Sequence, residues 1–147
     1  MKSLGTKVIR GSMGISSTSI GGDRKRIQLF DGRYDTGYRV KEFKIWALDT
    51  ECHAVLKTEP EYTLPMMNAN DNTQIAWASA PGSGVGPLDD GIVDYDNIVV
   101  EDLFIQGYAT TASQPWNYMI VLEKLQIGLT AGAYTMVRNT SQDTSSV

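Results

Sequence analysis

Cysteine and histidine are nearly absent from this chain of 147 residues, which contains one of each, Cys52 and His53. A single thiol cannot form an internal disulfide, so the fold cannot depend on an oxidising compartment. A single imidazole excludes every site that needs two histidines, among them the common zinc sites. A chain of this length can instead bury an apolar core that is stable without covalent or metal cross-links.

Long apolar segments are also missing. No run approaches the roughly 18 consecutive apolar residues that a membrane-spanning helix requires. The N-terminal residues contain no apolar stretch typical of a secretory signal. We therefore expect a protein without a membrane span that is synthesised in a cytoplasm and either stays there or leaves as part of an assembly.

The formal net charge is small, −4, but the two signs are unevenly distributed along the chain. Residues 1–57 contain 11 Lys and Arg against 6 Asp and Glu, whereas residues 58–147 contain 2 against 11. A fold that interleaves the two halves would cancel this asymmetry. If the asymmetry persists on the folded surface, it favours head-to-tail contact between copies of the chain.

Apolar residues recur at every second position in a series of short segments, which is the pattern of half-buried β-strands. Gly, Pro and Asn, which favour turns, separate these segments. The predicted strands are residues 6–12, 24–30, 38–48, 54–58, 73–79, 97–108 and 116–127. This pattern predicts an all-β fold, an antiparallel β-sandwich of the single jelly-roll type.

The C-terminal residues differ from the rest of the chain. Ala133, Met136 and Val137 have helical spacing, and Thr130 is a suitable cap, so we expect one short helix there. Residues 140–147 are polar and are expected to fray. No linker divides the chain, and we therefore expect a single domain over residues 1–147 with flexible N-terminal and C-terminal ends.

Two adjacent pairs of residues are the first candidates for catalysis. Cys52 and His53 offer a nucleophile and a base, and Glu101 and Asp102 offer two carboxylates. Successive side chains of a strand point to opposite faces, so neither pair can converge on one substrate. The sequence therefore predicts no catalytic residues and a protein that is not an enzyme, with a small hydrolase as the least favoured hypothesis.

The acidic segment 89–96 is the best candidate for a metal site, because its four carboxylates could supply oxygen ligands for calcium. It lacks the alternating spacing and the closing glutamate of an EF-hand, and solvated turn carboxylates are the alternative. The loop 68–72 could add oxygen ligands, but Asn and Asp are ordinary turn formers. We expect no metal and no cofactor.

A basic cluster at residues 24–26 (Arg-Lys-Arg) could contact phosphates together with Lys7, Arg10 and Arg33. Such contacts confer affinity without sequence specificity. The acidic net charge argues against a dedicated nucleic-acid-binding protein. A solvated strand end or an interface salt bridge is the alternative interpretation of this cluster.

Trp46, Trp77 and Trp116 also allow two interpretations. On an exposed sheet face they would form a stacking platform for sugars. In alternating strands, however, tryptophan is more commonly buried in the core.

Three segments of the C-terminal half resemble small virion proteins of marine bacteriophages. They are residues 97–105 (NIVVEDLFI), 116–124 (WNYMIVLEK) and 134–139 (YTMVRN). The resemblance implies a β-sandwich or single jelly roll that builds or decorates an icosahedral shell, and it implies no catalytic residues.

The sequence therefore predicts a viral structural protein, a capsid, penton or decoration subunit that is located in the virion. It would act by forming homo-oligomers and by contacting other virion proteins. The long loops 13–23 and 80–96 and both termini are the expected contact elements. The alternative is a carbohydrate- or receptor-binding β-sandwich module.

Overall fold

The computed structural model describes residues 2–13, 23–33, 35–48, 50–61, 66–81, 91–110 and 115–128. These residues contain eight β-strands and no helix. The strands are β1 (Lys2–Met13), β2 (Asp23–Ile27), β3 (Thr36–Ala47), β4 (Cys52–Lys57), β5 (Gln74–Ala80), β6 (Ile92–Val93), β7 (Leu103–Ala109) and β8 (Trp116–Gln126). The described residues include neither the predicted C-terminal helix nor residues 140–147, for which fraying was predicted. Most of the long loops 13–23 and 80–96 also lies outside the described residues.

The strands form two antiparallel sheets. One sheet has three strands in the order β1-β8-β3, and the other has five in the order β2-β7-β4-β5-β6. The prediction of an all-β antiparallel sandwich is thereby confirmed. The part of the chain that the structure describes contains no helix that is long and apolar enough to cross a membrane.

The core lies between the two sheets and follows the period-two pattern of the sequence. In β8, every second residue from Trp116 to Leu122 is at most 1% exposed, and the residues between them are half-buried. Phe43 and Ile45 of β3 are fully buried beside them, and Leu56, Leu103 and Ile105 of the second sheet belong to the same cluster. The strands predicted at residues 38–48 and 116–127 are thus present as β3 and β8, and buried residues recur at every second position in much of both.

The predicted strand 97–108 is wrong in its first half, because the regular strand begins at Leu103. Val99 instead makes an isolated bridge with Tyr38, with two backbone hydrogen bonds of 2.8 Å. Val99 packs in the main core, whereas Val100 packs with Leu125 and Ile127 in a second cluster. The consecutive apolar residues 98–100 are therefore explained by a chain that passes from one hydrophobic cluster to the other. They do not form a central strand.

The two lateral sides of the three-stranded sheet differ. On the β3 side, the Gly91 N–H donates to the Phe43 carbonyl over 3.0 Å, and Val99 pairs with Tyr38. Residues 91–99, which we call the closing segment, therefore cover the outer edge of β3. On the opposite side lies β1, which pairs with β8 and with no other strand of the described chain.

Candidate functional site

Strand β1 is a long edge strand that buries little of its own surface. All residues from Lys2 to Val8 are exposed, and only Ile9, Gly11 and Met13 are half-buried on the side that faces the core. Leu4 is 46% exposed and Val8 54% exposed. Seven consecutive exposed residues in a strand mean that both of its faces, as well as its outer edge, contact solvent in the described structure.

Strand β1 forms although much of it is exposed, because its backbone pairs with β8. It pairs with β8 along its whole length, from Lys2 opposite Gln126 to Met13 opposite Trp116. The register shifts between Ser3 and Gly5, and Gly5 has a φ of 122°, which favours glycine. In an antiparallel pair, backbone groups point alternately toward and away from the partner, so β1 presents N–H and C=O groups at its outer edge.

Strand β1 is also basic. The strand contains Lys2, Lys7 and Arg10 and no acidic residue. The Lys7 ammonium lies 5.9 Å from the centre of the Tyr38 ring. A partner for this edge would therefore combine hydrogen-bonding backbone or polar groups with negative charge and with apolar surface for Leu4 and Val8.

The predicted separation of Cys52 and His53 is consistent with the structure. Cys52 is fully buried in the core, and burial, followed by the charge of Glu51, raises the pKa of its thiol to about 12. His53 lies on the opposite face of β4, where it is half-exposed. A buried, protonated thiol cannot serve as a nucleophile at neutral pH.

A chain of three polar side chains at His53 could not be inferred from the sequence. His53 Nδ1 lies 2.8 Å from Ser79 Oγ, and His53 Nε2 lies 2.6 Å from Glu51 Oε1. The pairing of β4 with β5 brings His53 opposite Ser79, 26 residues away, so only the register could reveal this contact. The Tyr108 ring, 5.3 Å from His53 between ring centres, extends the group across a third strand.

A serine–imidazole–carboxylate sequence is only part of an acyl-transfer site, which also requires oxyanion donors and a cleft for the substrate. Two clefts lined by described residues, of about 170 and 240 Å³, lie elsewhere on the molecule. The contact of His53 with Ser79 joins β4 to β5 on the outer face of the five-stranded sheet.

Glu101 and Asp102 diverge as predicted. Glu101 is exposed, whereas Asp102 is 6% exposed and accepts hydrogen bonds from the Leu29 and Phe30 N–H groups over 2.8 and 2.9 Å. Arg26 Nε donates to the same carboxylate over 2.6 Å. Burial alone would raise the pKa of Asp102, but these hydrogen bonds lower it below its ordinary value.

The basic cluster at residues 24–26 is dispersed rather than gathered into one patch. Arg24 donates to the Pro60 carbonyl, and Arg26 pairs with Asp102. Lys25 points to the other face, where its ammonium lies 5.5 Å from the centre of the Tyr118 ring. Arg33 forms a salt bridge with Asp35 over 2.7 Å. Arg26 and Arg33 are thus held in ion pairs within the chain, an arrangement that the sequence did not predict.

The predicted metal candidates are turn formers where the structure describes them. Asp71 accepts from the Thr73 N–H over 2.9 Å and from the Thr73 hydroxyl over 2.7 Å. Asp94 accepts from the Asp96 N–H and from the Asn97 amide. No group of three or more potential metal ligands occurs among the described residues, and residues 89–90 lie outside them.

The three tryptophans do not share a surface. Trp116 is fully buried in the core, where a Cβ at position 107 would lie 2.7 Å from its ring. Trp46 and Trp77 alternate with buried neighbours on different sheets, so they point away from the core on opposite sides of the sandwich. This arrangement does not support a sugar-stacking platform built from all three.

The structure defines the class of the protein as an antiparallel β-sandwich, in which the long, basic edge strand β1 has β8 as its one partner among the described strands. Comparison with protein-family models, with curated proteins and with solved structures finds no match to this chain.

Proposed function

We propose that this chain is a structural subunit that acts by associating with copies of itself and with other proteins, in the setting of a virion. The observation that carries the proposal is the open edge of β1, twelve residues long and exposed from Lys2 to Val8. Edge strands of this length are ready templates for association, and proteins that stay monomeric usually shorten or cover them.

The energetics of β1 support the same conclusion. Fixing the backbone costs roughly 1–2 kcal/mol per residue, which burial of apolar surface normally offsets. In the stretch from Lys2 to Val8, the apolar residues Leu4 and Val8 are still 46% and 54% exposed in the single chain. A partner that covers this strand would supply the missing burial and would complete its backbone hydrogen bonds.

The virion is the part of the proposal that rests on the resemblance of three C-terminal segments to bacteriophage structural proteins. A capsid, penton or decoration subunit of single jelly-roll topology needs a rigid scaffold with broad complementary surfaces and no catalytic group. The buried core, with an exposed edge strand beside it, suits that role. We propose that the chain is synthesised in the host cytoplasm and is incorporated into the particle without a metal or cofactor.

The oligomeric state of the purified chain tests self-association. Native mass spectrometry and sedimentation velocity over a wide concentration range should show discrete symmetric oligomers, and electron microscopy should show regular particles. Val8→Lys, on the exposed edge strand, should weaken association, whereas Leu48→Lys at a 77% exposed leucine outside β1 should not. A wild-type chain that stays monomeric at high concentration and is absent from particles would refute the proposal.

A further inference from the structure

A second exposed apolar and charged surface lies on the closing segment. Ile92 is 71% exposed and Tyr95 is 55% exposed, and the carboxylates of Asp94 and Asp96 flank Tyr95. The backbone here is held in place, because the Asp94 N–H donates to the Ile75 carbonyl over 2.9 Å. Asp94 also accepts from the Asn97 amide over 2.7 Å, so these side chains are presented on a fixed turn.

This surface and β1 account for most of the exposed apolar side chains. Four of the six large apolar residues that are exposed in the described chain belong to them, namely Leu4, Val8, Ile92 and Tyr95. The two surfaces carry opposite charges, since β1 contains three cations and no anion while the closing segment contains two carboxylates and no cation. They are therefore complementary in both charge and apolar character.

The two surfaces lie on opposite lateral sides of the sandwich. β1 is the first strand of the sheet ordered β1-β8-β3, and the closing segment covers the outer edge of β3. Because they face away from each other, they cannot meet within one subunit. They can meet between two subunits that have the same orientation.

We infer that β1 of one copy docks against the closing segment, residues 91–99, of the next copy, so that subunits associate head to tail. This inference rests on the proposed self-association and specifies its geometry. A contact between two different surfaces of the same chain is heterologous, and it generates a closed ring or an open filament. A two-fold pairing of β1 with β1 would bring six cations together without a carboxylate in either strand, which is unfavourable.

Two lysines on β3 lie near the acidic surface and reduce its negative potential. The Lys41 ammonium lies 5.8 Å from the centre of the Tyr95 ring, and Lys44 forms a 3.9 Å salt bridge with Glu42. The attraction for β1 therefore depends on Asp94 and Asp96. Asp96 is the better position for a test, because the contact found for it uses its backbone N–H, whereas the Asp94 side chain holds the turn.

Charge reversal tests the contact. Arg10→Glu on β1 and Asp96→Lys on the closing segment should each weaken self-association about tenfold, as measured by sedimentation velocity. An equimolar mixture of the two variants should assemble again, because every contact in an alternating assembly then joins opposite charges. Glu101→Lys, which changes the net charge as Asp96→Lys does but lies outside both surfaces, should leave association unchanged. Circular dichroism should show the same fold for all variants.

The outcomes separate this inference from the proposed function. If the wild type assembles but Asp96→Lys has no effect, or if the mixture does not recover, β1 contacts another surface and the inference is wrong while self-association stands. If the wild-type chain is monomeric, both fail. Loss of assembly in each single variant with recovery in the mixture supports the inference.

Discussion

At the scale of single residues, Cys52 is the chemical group most strongly altered by the fold. Its thiol is fully buried, and burial raises its pKa to about 12. Because the thiolate is the reactive form, we expect iodoacetamide to label native protein at pH 8 very slowly and unfolded protein rapidly. Intact-mass spectrometry measures both rates, and rapid labelling of the folded chain would contradict the structure.

Asp102 is a buried polar residue whose substitution should clearly lower the stability of the fold. Its carboxylate accepts from two backbone N–H groups, those of Leu29 and Phe30, and holds the end of β2 against the start of β7. Asp102→Ala would leave these N–H groups without their acceptor, at a cost of about 2–4 kcal/mol in the free energy of unfolding. Arg26 contributes less, because its side chain is 65% exposed and solvent screens the ion pair.

The lowered pKa of Asp102 gives this contribution a defined pH dependence. The folded-state pKa lies below the ordinary value of 3.8, so the stabilisation is complete above that value. It is lost as the pH falls through the folded-state pKa. Urea unfolding at pH 7 and at pH 3 should therefore show a smaller difference between wild type and Asp102→Ala at the lower pH, whereas an equal difference would contradict the assignment.

At the scale of strands, Gly107 allows β7 to pack closely against its neighbour β4 and against Trp116 of the opposite sheet. A Cβ there would lie 2.6 Å from the His53 carbonyl, 2.7 Å from the Trp116 ring and 2.8 Å from the Ala54 Cβ. None of these groups is the end of a flexible side chain, so Gly107→Ala should destabilise the fold by about 1–3 kcal/mol. Gly128→Ala is the matched control, because nothing lies within 4 Å of its Cβ. Thermal and urea unfolding of the two variants measure the difference.

The strands show how much of this fold local patterning can predict. The alternation in β8 follows from packing one face on a core, so Trp116 and Leu122 could be placed inward from the sequence alone. The break before Leu103 could not, because it depends on the bond from Val99 to Tyr38, far away in the chain. The sequence also did not predict that β1 begins at Lys2, because the first residues of the strand are exposed and show no alternation of apolar and polar residues.

As with the strands, some features of the candidate sites could be predicted from the sequence and others could not. Adjacent residues on a strand diverge, so the separation of Cys52 from His53 followed from backbone geometry. Glu101 and Asp102 also diverge, but they precede β7, so strand alternation is not the reason for their separation. The contact of His53 with Ser79 could not be predicted, because it depends on the register between β4 and β5. No pattern in the sequence indicates that register. The charge asymmetry along the chain was visible, but only the sheet order places the basic β1 opposite the closing segment.

At the scale of the whole molecule, the sandwich has one side closed by residues 91–99 and one side that ends in an open strand. Backbone amides exchange with solvent when they open locally, and protection is greatest where a strand has neighbours on both sides and a core beneath it. Strand β8 meets both conditions, since it lies between β1 and β3 and its alternate side chains are buried. Strand β1 meets neither along Lys2 to Val8.

Hydrogen–deuterium exchange should therefore rank the strands and report on assembly in the same experiment. In dilute, unassembled protein, amides of β8 should exchange most slowly and those of Lys2 to Val8 rapidly. At concentrations where the chain oligomerises, protection should rise in β1 and around Tyr95 together, because each surface covers the other. Protection that rises in β1 alone would instead indicate that two β1 strands, or a different protein, occupy the open edge.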